Sequence, residues 1–213
     1  MRSERYKDLL PAEKLSSLAC TVIGVGAIGR QVAIQLAAMG VPKLQLIDHD
    51  VVETVNLGTQ AYFHYDVGRA KVHATSDIAH QLNPLLELES RVERFARTQA
   101  VHPVIFCCVD SIQTRRHIFE AVHRSAQLFI DGRMAAEVLR VLTVCDPTTA
   151  AHYKSTLFDP AEAHRDGCTQ RSTIYAANVA AGMMVGQLAK WARGMPADAD
   201  VSINLLSMEL ASA

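Results

Sequence analysis

The sequence predicts an α/β fold: a mostly parallel sheet with helices on both faces, extended by antiparallel strands in the C-terminal part. Three observations carry that prediction. Short apolar runs alternate with segments of helical spacing from Ala19 to Asp131, which is the pattern of a parallel sheet covered on both sides. A glycine-rich turn, Gly24-Val25-Gly26-Ala27-Ile28-Gly29, joins the first apolar run to the first helix. After Gly132 the alternation lapses, and Val138–Val144 reads as a strand that returns along the sheet.

The elements follow in order. Ala19-Cys20-Thr21-Val22-Ile23 is an apolar run ending in glycine, hence a buried strand. Val32, Ala33, Leu36, Ala37 and Met39 keep helical spacing until Gly40 stops the helix. Residues 43–48 form a second strand. Residues 70–82 form a helix closed by Asn83-Pro84, because a residue before proline is pushed out of the helical region. Residues 85–92 read as a strand, and 103–109 as a strongly apolar one ending at Asp110. Residues 113–125 are helical and lead to a strand at 127–131. A polar loop is expected over 146–169, then a long apolar helix to about Trp191 and a last strand near 201–206. No linker, repeat or low-complexity tract divides the chain, so residues 1–213 read as one domain with a single extended sheet.

Composition narrows the function. Of 213 residues, 49% are apolar and 20% charged, which excludes a disordered chain. The net charge of -1 argues against nucleic acid as a partner, because that binding draws on a surplus of Lys and Arg. The N-terminal residues Met1 to Asp8 carry no apolar h-region of a signal peptide. Residues 173–189 lack charge but include Asn178 and Gln187, and seventeen residues fall short of a membrane span. The five cysteines, Cys20, Cys107, Cys108, Cys145 and Cys168, contain no C-x-x-C pair, so zinc-knuckle spacing is absent. Reduced thiols in a cytoplasm are the expectation. The nine histidines do not cluster at metal spacing, and His49 is expected to point away from the nucleotide side.

Gly24-x-Gly26-x-x-Gly29 between a strand and a helix is a Rossmann-like phosphate turn, where backbone N–H groups approach an anion at a helix N-terminus. Asp48 ends the second strand, twenty-four residues after Gly24, and an acidic group there accepts hydrogen bonds from ribose hydroxyls. NAD and ATP sites both use this device, so an NAD-dependent oxidoreductase stays open at this point.

The next stretch discriminates. It reads Asp48-His49-Asp50-Val51-Val52-Glu53-Thr54-Val55-Asn56-Leu57-Gly58-Thr59-Gln60, then Gly68-Arg69-Ala70-Lys71. This run resembles the E1-like superfamily that includes ThiF, MoeB and the ubiquitin-activating enzymes, which carry D-x-D-x-V-x-x-x-N-L-x-R-Q followed by G-x-x-K. The resemblance continues at Cys107-Cys108-Val109-Asp110 with Arg115, at Asp131-Gly132-Arg133-Met134 and at Cys168-Thr169-Gln170-Arg171, and so covers most of the chain.

The resemblance implies ATP-dependent adenylation of the C-terminal glycine carboxylate of a small β-grasp carrier protein ending in Gly-Gly. It implies ATP and Mg²⁺ as cofactors and a homodimer. Asp48 would hold the ribose, and Asp50 would be a further cofactor-binding residue. Gly24, Gly26 and Gly29 would form the turn, Gly26 and Gly29 admitting the nucleotide. Asn56 and Lys71 would contact the phosphates, and Asp110 would help hold Mg²⁺. Each residue also has a plain structural role open to it: Lys71 as a solvated lysine at a helix start, Asp110 as a helix N-cap, Asn56 as a turn residue.

Two positions depart from the family pattern. Thr59 stands where the family usually has arginine, and Asp8 replaces a second arginine near the N-terminus. Arg30 and Arg69 flank the phosphate-side motifs and are the candidates to supply the missing charge. The departures keep a second reading open, an inactive E1-like module that only binds its partner. Cys168 is the candidate nucleophile for a step after adenylation, because a helix start and Arg171 beside it favour the thiolate. Cys145 is the second choice, while Cys20, Cys107 and Cys108 read as strand residues.

Overall fold

The computed structural model describes residues 10–158 and 173–212. The elements run α1 (Ala12–Ser16), β1 (Ala19–Ile23), α2 (Ala27–Met39), β2 (Lys43–Ile47), α3 (Asn56–Gln60), a 3₁₀ turn (His64–Asp66), α4 (Lys71–Leu82), β3 (Glu87–Arg91), β4 (Val104–Cys107), α5 (Ile112–Val122), β5 (Leu128–Ala135), β6 (Val138–Val144), α6 (Pro147–Ser155), α7 (Ile174–Ala192), β7 (Asp200–Asn204) and β8 (Glu209–Ser212). One sheet of eight strands holds the order β3-β2-β1-β4-β5-β6-β7-β8. The pairs from β3 to β5 are parallel. Those from β5 to β8 are antiparallel.

This order reverses direction between β1 and β4. In an open α/β sheet, ligands bind outside the carboxyl ends of the strands at such a point. The residues there are Gly24 after β1 and Cys108 to Asp110 after β4.

The central strands are mostly apolar, with the buried Thr21 and Gln45 as a hydrogen-bonded polar pair, and their apolar residues alternate by face. Val22, Leu46, Phe106 and Ile130 join one cluster with Val32, Leu36 and Val72 of α2 and α4 and Ala180, Met184 and Leu188 of α7. Ile23, Ile47, Ile105 and Phe129 join another with Ile118 and Phe119 of α5 and Tyr153 of α6. Period-two alternation between two covered faces is what a buried parallel strand requires. Among the described residues no helix is long and apolar enough to cross a membrane. Ala176, Ala180, Ala181 and Met184 of α7 are instead buried against the core.

Four expectations need correction. The polar loop over 146–169 begins with helix α6. Its start is marked by Pro147 in the first turn and by Asp146, whose carboxylate accepts from the Thr149 N–H at 2.8 Å. The strand at 127–131 runs on to Ala135, so Gly132-Arg133-Met134 lies inside β5, paired with β6. The strand at 85–92 is shorter at both ends; Leu85 is 90% exposed and outside β3. The last strand is followed by β8, four exposed residues too short to show a strand period in the sequence.

Candidate active site

The glycine-rich turn is shaped by close packing. Gly24 has φ +87°, and a side-chain carbon there would lie 2.8 Å from the Cys108 carbonyl oxygen. A side chain at Gly29 would collide with the Gly24 carbonyl, so this glycine lets α2 start hard against the turn. Of the three glycines in the turn, Gly26, the N-cap of α2, is the one that opens onto space. The expectation that Gly29 admits a nucleotide is therefore replaced by a packing role, and Gly26 alone is the open position.

Asp48 is 9% exposed just beyond β2. Its Oδ2 accepts from the Val25 N–H at 2.6 Å and its Oδ1 from the Asp50 N–H at 2.8 Å. The carboxylate thus faces the glycine-rich turn across the β1–β2 edge. The chain then returns on itself: Val52 N–H donates to Arg69 O at 2.8 Å, and Lys71 N–H to Asp50 O at 3.0 Å. This clamp brings the start of α4 back to Asp50.

Lys71 is 7% exposed, not a solvated helix-start lysine. Its Nζ lies 2.9 Å from Asp50 Oδ2. Partial burial pushes the Asp50 carboxyl up, but the hydrogen bond and charge of Lys71, with His49 and Arg94, outweigh it and hold the group below its ordinary range. Asp50 is therefore a carboxylate at neutral pH, and it anchors the Lys71 Nζ at this corner. His49 does not point away: its Nε2 lies 3.2 Å from Asp50 Oδ1.

Asn56 opens α3 and its Oδ1 accepts from the Glu53 N–H at 2.9 Å, the turn role. Its amide NH₂ has no partner among the described residues. Gln60, at the other end of α3, has a buried Oε1 without a hydrogen-bond partner among the described residues, 4.0 Å from where a Gly26 side-chain carbon would stand. A buried orphan acceptor beside an open glycine is what remains when a polar ligand completes the site. The residues present therefore fit a nucleotide. Gln60 was within reach of sequence reasoning, since it lies in the quoted run.

Asp110 is exposed on the turn after β4, and no hydrogen bond or ion pair engages it among the described residues. It is not the N-cap of α5. Ser111 is, with its Oγ accepting from the Thr114 N–H at 3.4 Å. A free, exposed carboxylate at the end of a central strand suits a hard divalent cation such as Mg²⁺.

The missing charge is not restored by the two expected arginines. Arg69 is tied to Asp66 at 3.1 Å and Asp77 at 2.6 Å. Arg30 is 1% exposed, under α3 and α4. Thr59 only donates its hydroxyl to Val55 O at 3.3 Å. Asp8, Cys168 and Arg171 lie outside the described residues.

Beneath the Asp110 turn lies a charged cluster that the sequence motifs touched without explaining. Asp131 is fully buried. It pairs with Arg115, with Arg133 Nε at 2.8 Å, and with the Tyr153 hydroxyl at 3.0 Å. Arg115 also donates to the Val109 carbonyl, and Arg133 to Thr156 O and Oγ1. The cluster ties the turn that carries Asp110 to α6. Burial pushes the Cys20, Cys107 and Cys108 thiols up, so they are poor nucleophiles. The exposed Cys145 thiol is also pushed up, by partial burial and by the Asp146 carboxylate.

Solved structures share this fold. The chain superposes on Escherichia coli MccB with ATP at a TM-score of 0.79 and 18% identity, covering 100% of this chain and 71% of that one. PaaA gives 0.76 at 18% identity, covering 94% and 65%. Among curated proteins, the chain is 32% identical over 114 residues to the adenylyltransferase and sulfurtransferase MOCS3 of Mus musculus, covering 51% of this chain and 25% of that protein. It is 26% identical over 136 residues to the ubiquitin-like modifier-activating enzyme 5 of Caenorhabditis elegans, covering 56% and 32%. The chain thus spans about a third or less of these relatives' length. The model of the ThiF family matches residues 6–212, and the chain belongs to that family.

Proposed function

We propose that this protein adenylates the C-terminal carboxylate of a small ubiquitin-like or sulfur-carrier protein, using ATP and Mg²⁺. The carrier ends in Gly-Gly and the protein works as a homodimer. The observation that carries the reading is one corner of the fold: Asp48 holds the Val25 N–H, Asp50 holds Lys71 Nζ, and the unpartnered Gln60 acceptor lies beside the open Gly26. Two relatives are named for adenylyl transfer and for activation of a ubiquitin-like modifier, and the resemblance at Asp48 to Lys71 agrees with them.

The chemistry is one displacement. A carrier carboxylate oxygen attacks the α-phosphorus of ATP. The bond to the bridging oxygen breaks, and pyrophosphate leaves with its electron pair. The need is alignment and neutralisation of phosphate charge more than acid or base. Asp48 orients the ribose, Gly26 brings the α2 N-terminus to the phosphates, and Lys71 and the Asn56 amide donate to phosphate oxygens. Asp110 would hold Mg²⁺, which supplies further neutralisation of the phosphates.

Calorimetric titration tests the nucleotide. ATP with Mg²⁺ is expected to bind, and NAD is not. Tight NAD binding with no response to ATP would sink the reading. The occupied state of Arg30 and Arg69 favours a second reading, a module that binds its carrier and nucleotide without turnover. ATP–pyrophosphate exchange with candidate proteins ending in Gly-Gly separates the two.

A following step at Cys168 belongs to the proposal. The thiolate attacks the acyl carbon of the adenylate, AMP leaves and a thioester forms. Cys168→Ala is expected to keep pyrophosphate exchange and lose the thiol-sensitive carrier adduct on a non-reducing gel. Survival of that band in Cys168→Ala and its loss in Cys145→Ala would move the role to Cys145.

A further inference from the structure

One group of buried polar side chains reaches the glycine-rich turn from behind and has no part in the chemistry above. Tyr62 follows α3 and is 4% exposed; its hydroxyl donates to the Val25 carbonyl at 2.7 Å. The same peptide segment is held from the other side, where Val25 N–H donates to Asp48. Both backbone polar groups of Val25 are thus fixed by side chains of other elements.

The Tyr62 oxygen lies 3.3 Å from Thr75 Oγ1 of α4, and Thr75 Oγ1 accepts from Arg30 Nη1 at 3.0 Å. The Tyr62 proton goes to the Val25 carbonyl, so between the two hydroxyls Thr75 donates and Tyr62 accepts. The donors then run one way: Arg30 to Thr75, Thr75 to Tyr62, Tyr62 to Val25. Such a chain polarises each successive bond, most strongly when it starts at a cation in a dry interior. The Arg30 guanidinium also stacks 4.0 Å over the Tyr62 ring and donates to Ala61 O at 3.1 Å. Ala61 is held at φ 59°, a left-handed conformation uncommon for alanine. That bend ends α3 immediately after Gln60.

We propose that Arg30, Thr75 and Tyr62 act as positioning residues for the nucleotide turn, a relay that fixes Val25 and so sets Gly26 and the start of α2 for phosphate. The role in catalysis rests on the proposed adenylation, but the fixing of the turn does not. Arg30 reaches no phosphate; it acts through Tyr62 and Ala61. Burial pushes the Tyr62 phenol up to about 12, so it stays a donor across the working pH range.

The test uses Tyr62→Phe, which keeps the ring on Arg30 and removes the hydroxyl that donates to Val25 and accepts from Thr75, and Thr75→Val against Thr75→Ser. Two readings are taken on the full chain: amide hydrogen exchange over residues 24–29 without nucleotide, and the Kd for ATP with Mg²⁺. Tyr62→Phe and Thr75→Val are expected to speed exchange in that turn and weaken ATP binding by about tenfold, the scale of one buried hydrogen bond. Thr75→Ser, which keeps the hydroxyl, is expected to restore both. A merely structural role would speed exchange across α2 and α4 alike, and that outcome overturns the inference. Unchanged exchange in the turn also overturns it, whether or not ATP binds. If the wild type binds no ATP, the proposed function falls while the exchange pattern still decides the relay.

Discussion

Replacing Asp110 with alanine is expected to lower ATP–pyrophosphate exchange by about 10³-fold and leave the fold intact. The carboxylate is exposed and engages no partner among the described residues. Its removal therefore breaks no native interaction there. The capping of α5 is supplied by Ser111, so the cost of about 1 kcal/mol that follows loss of a cap does not arise. Its place is set by its neighbours, because Arg115 grips the Val109 carbonyl immediately before it. A charge presented on a held turn, with no structural task, is what a metal role requires. Asp110→Asn keeps an oxygen ligand without the charge and is expected to fall between. Wild-type exchange in Asp110→Ala would reject the assignment, and a large drop in urea midpoint would show a structural role instead.

Asp131→Ala is expected to destabilise the protein by about 3–5 kcal/mol, the scale of removing one partner from a buried ion pair. The mutation leaves Arg115 and Arg133 facing each other without the anion between them. Burial pushes both guanidiniums down, and an arginine keeps its proton in a protein interior. The Tyr153 hydroxyl loses its acceptor as well. Asp131→Asn, which keeps the acceptor but not the charge, is expected to cost less. Equilibrium urea unfolding reads both. A loss under about 1 kcal/mol in Asp131→Ala would mean that the arginines find other partners or water. Because the cluster holds the Asp110 turn and α6, exchange activity of any folded fraction should drop too.

The sequence by itself determined the parallel half of the sheet and the candidate residues along it. Apolar runs broken by glycine and helical spacing are local signals, and β1, α2, β2 and α4 fall close to where those signals put them. The ordered motifs from Asp48 to Lys71 likewise determined the family, since several weak pieces in one order are jointly specific. The sequence also held signals for α6, in Asp146, Pro147 and Thr149, which the polar composition of the segment obscured.

Only the tertiary structure decided which side chains meet and which charges are spent. Arg30 and Arg69 look alike in the sequence, as cations beside phosphate motifs. Folding buries the first under Tyr62 and ties the second to two carboxylates, because α3 and α4 close over α2. Lys71 could have been a solvated lysine; the return of the chain to Asp50 makes it a buried side chain paired with that carboxylate, two residues from Asp48. Asp131 and Arg115 are sixteen residues apart in the sequence, and pairing of β4 with β5 carries them into one buried cluster. Local patterns report the backbone's preferences, whereas burial and charge pairing depend on what distant elements bring to the same place.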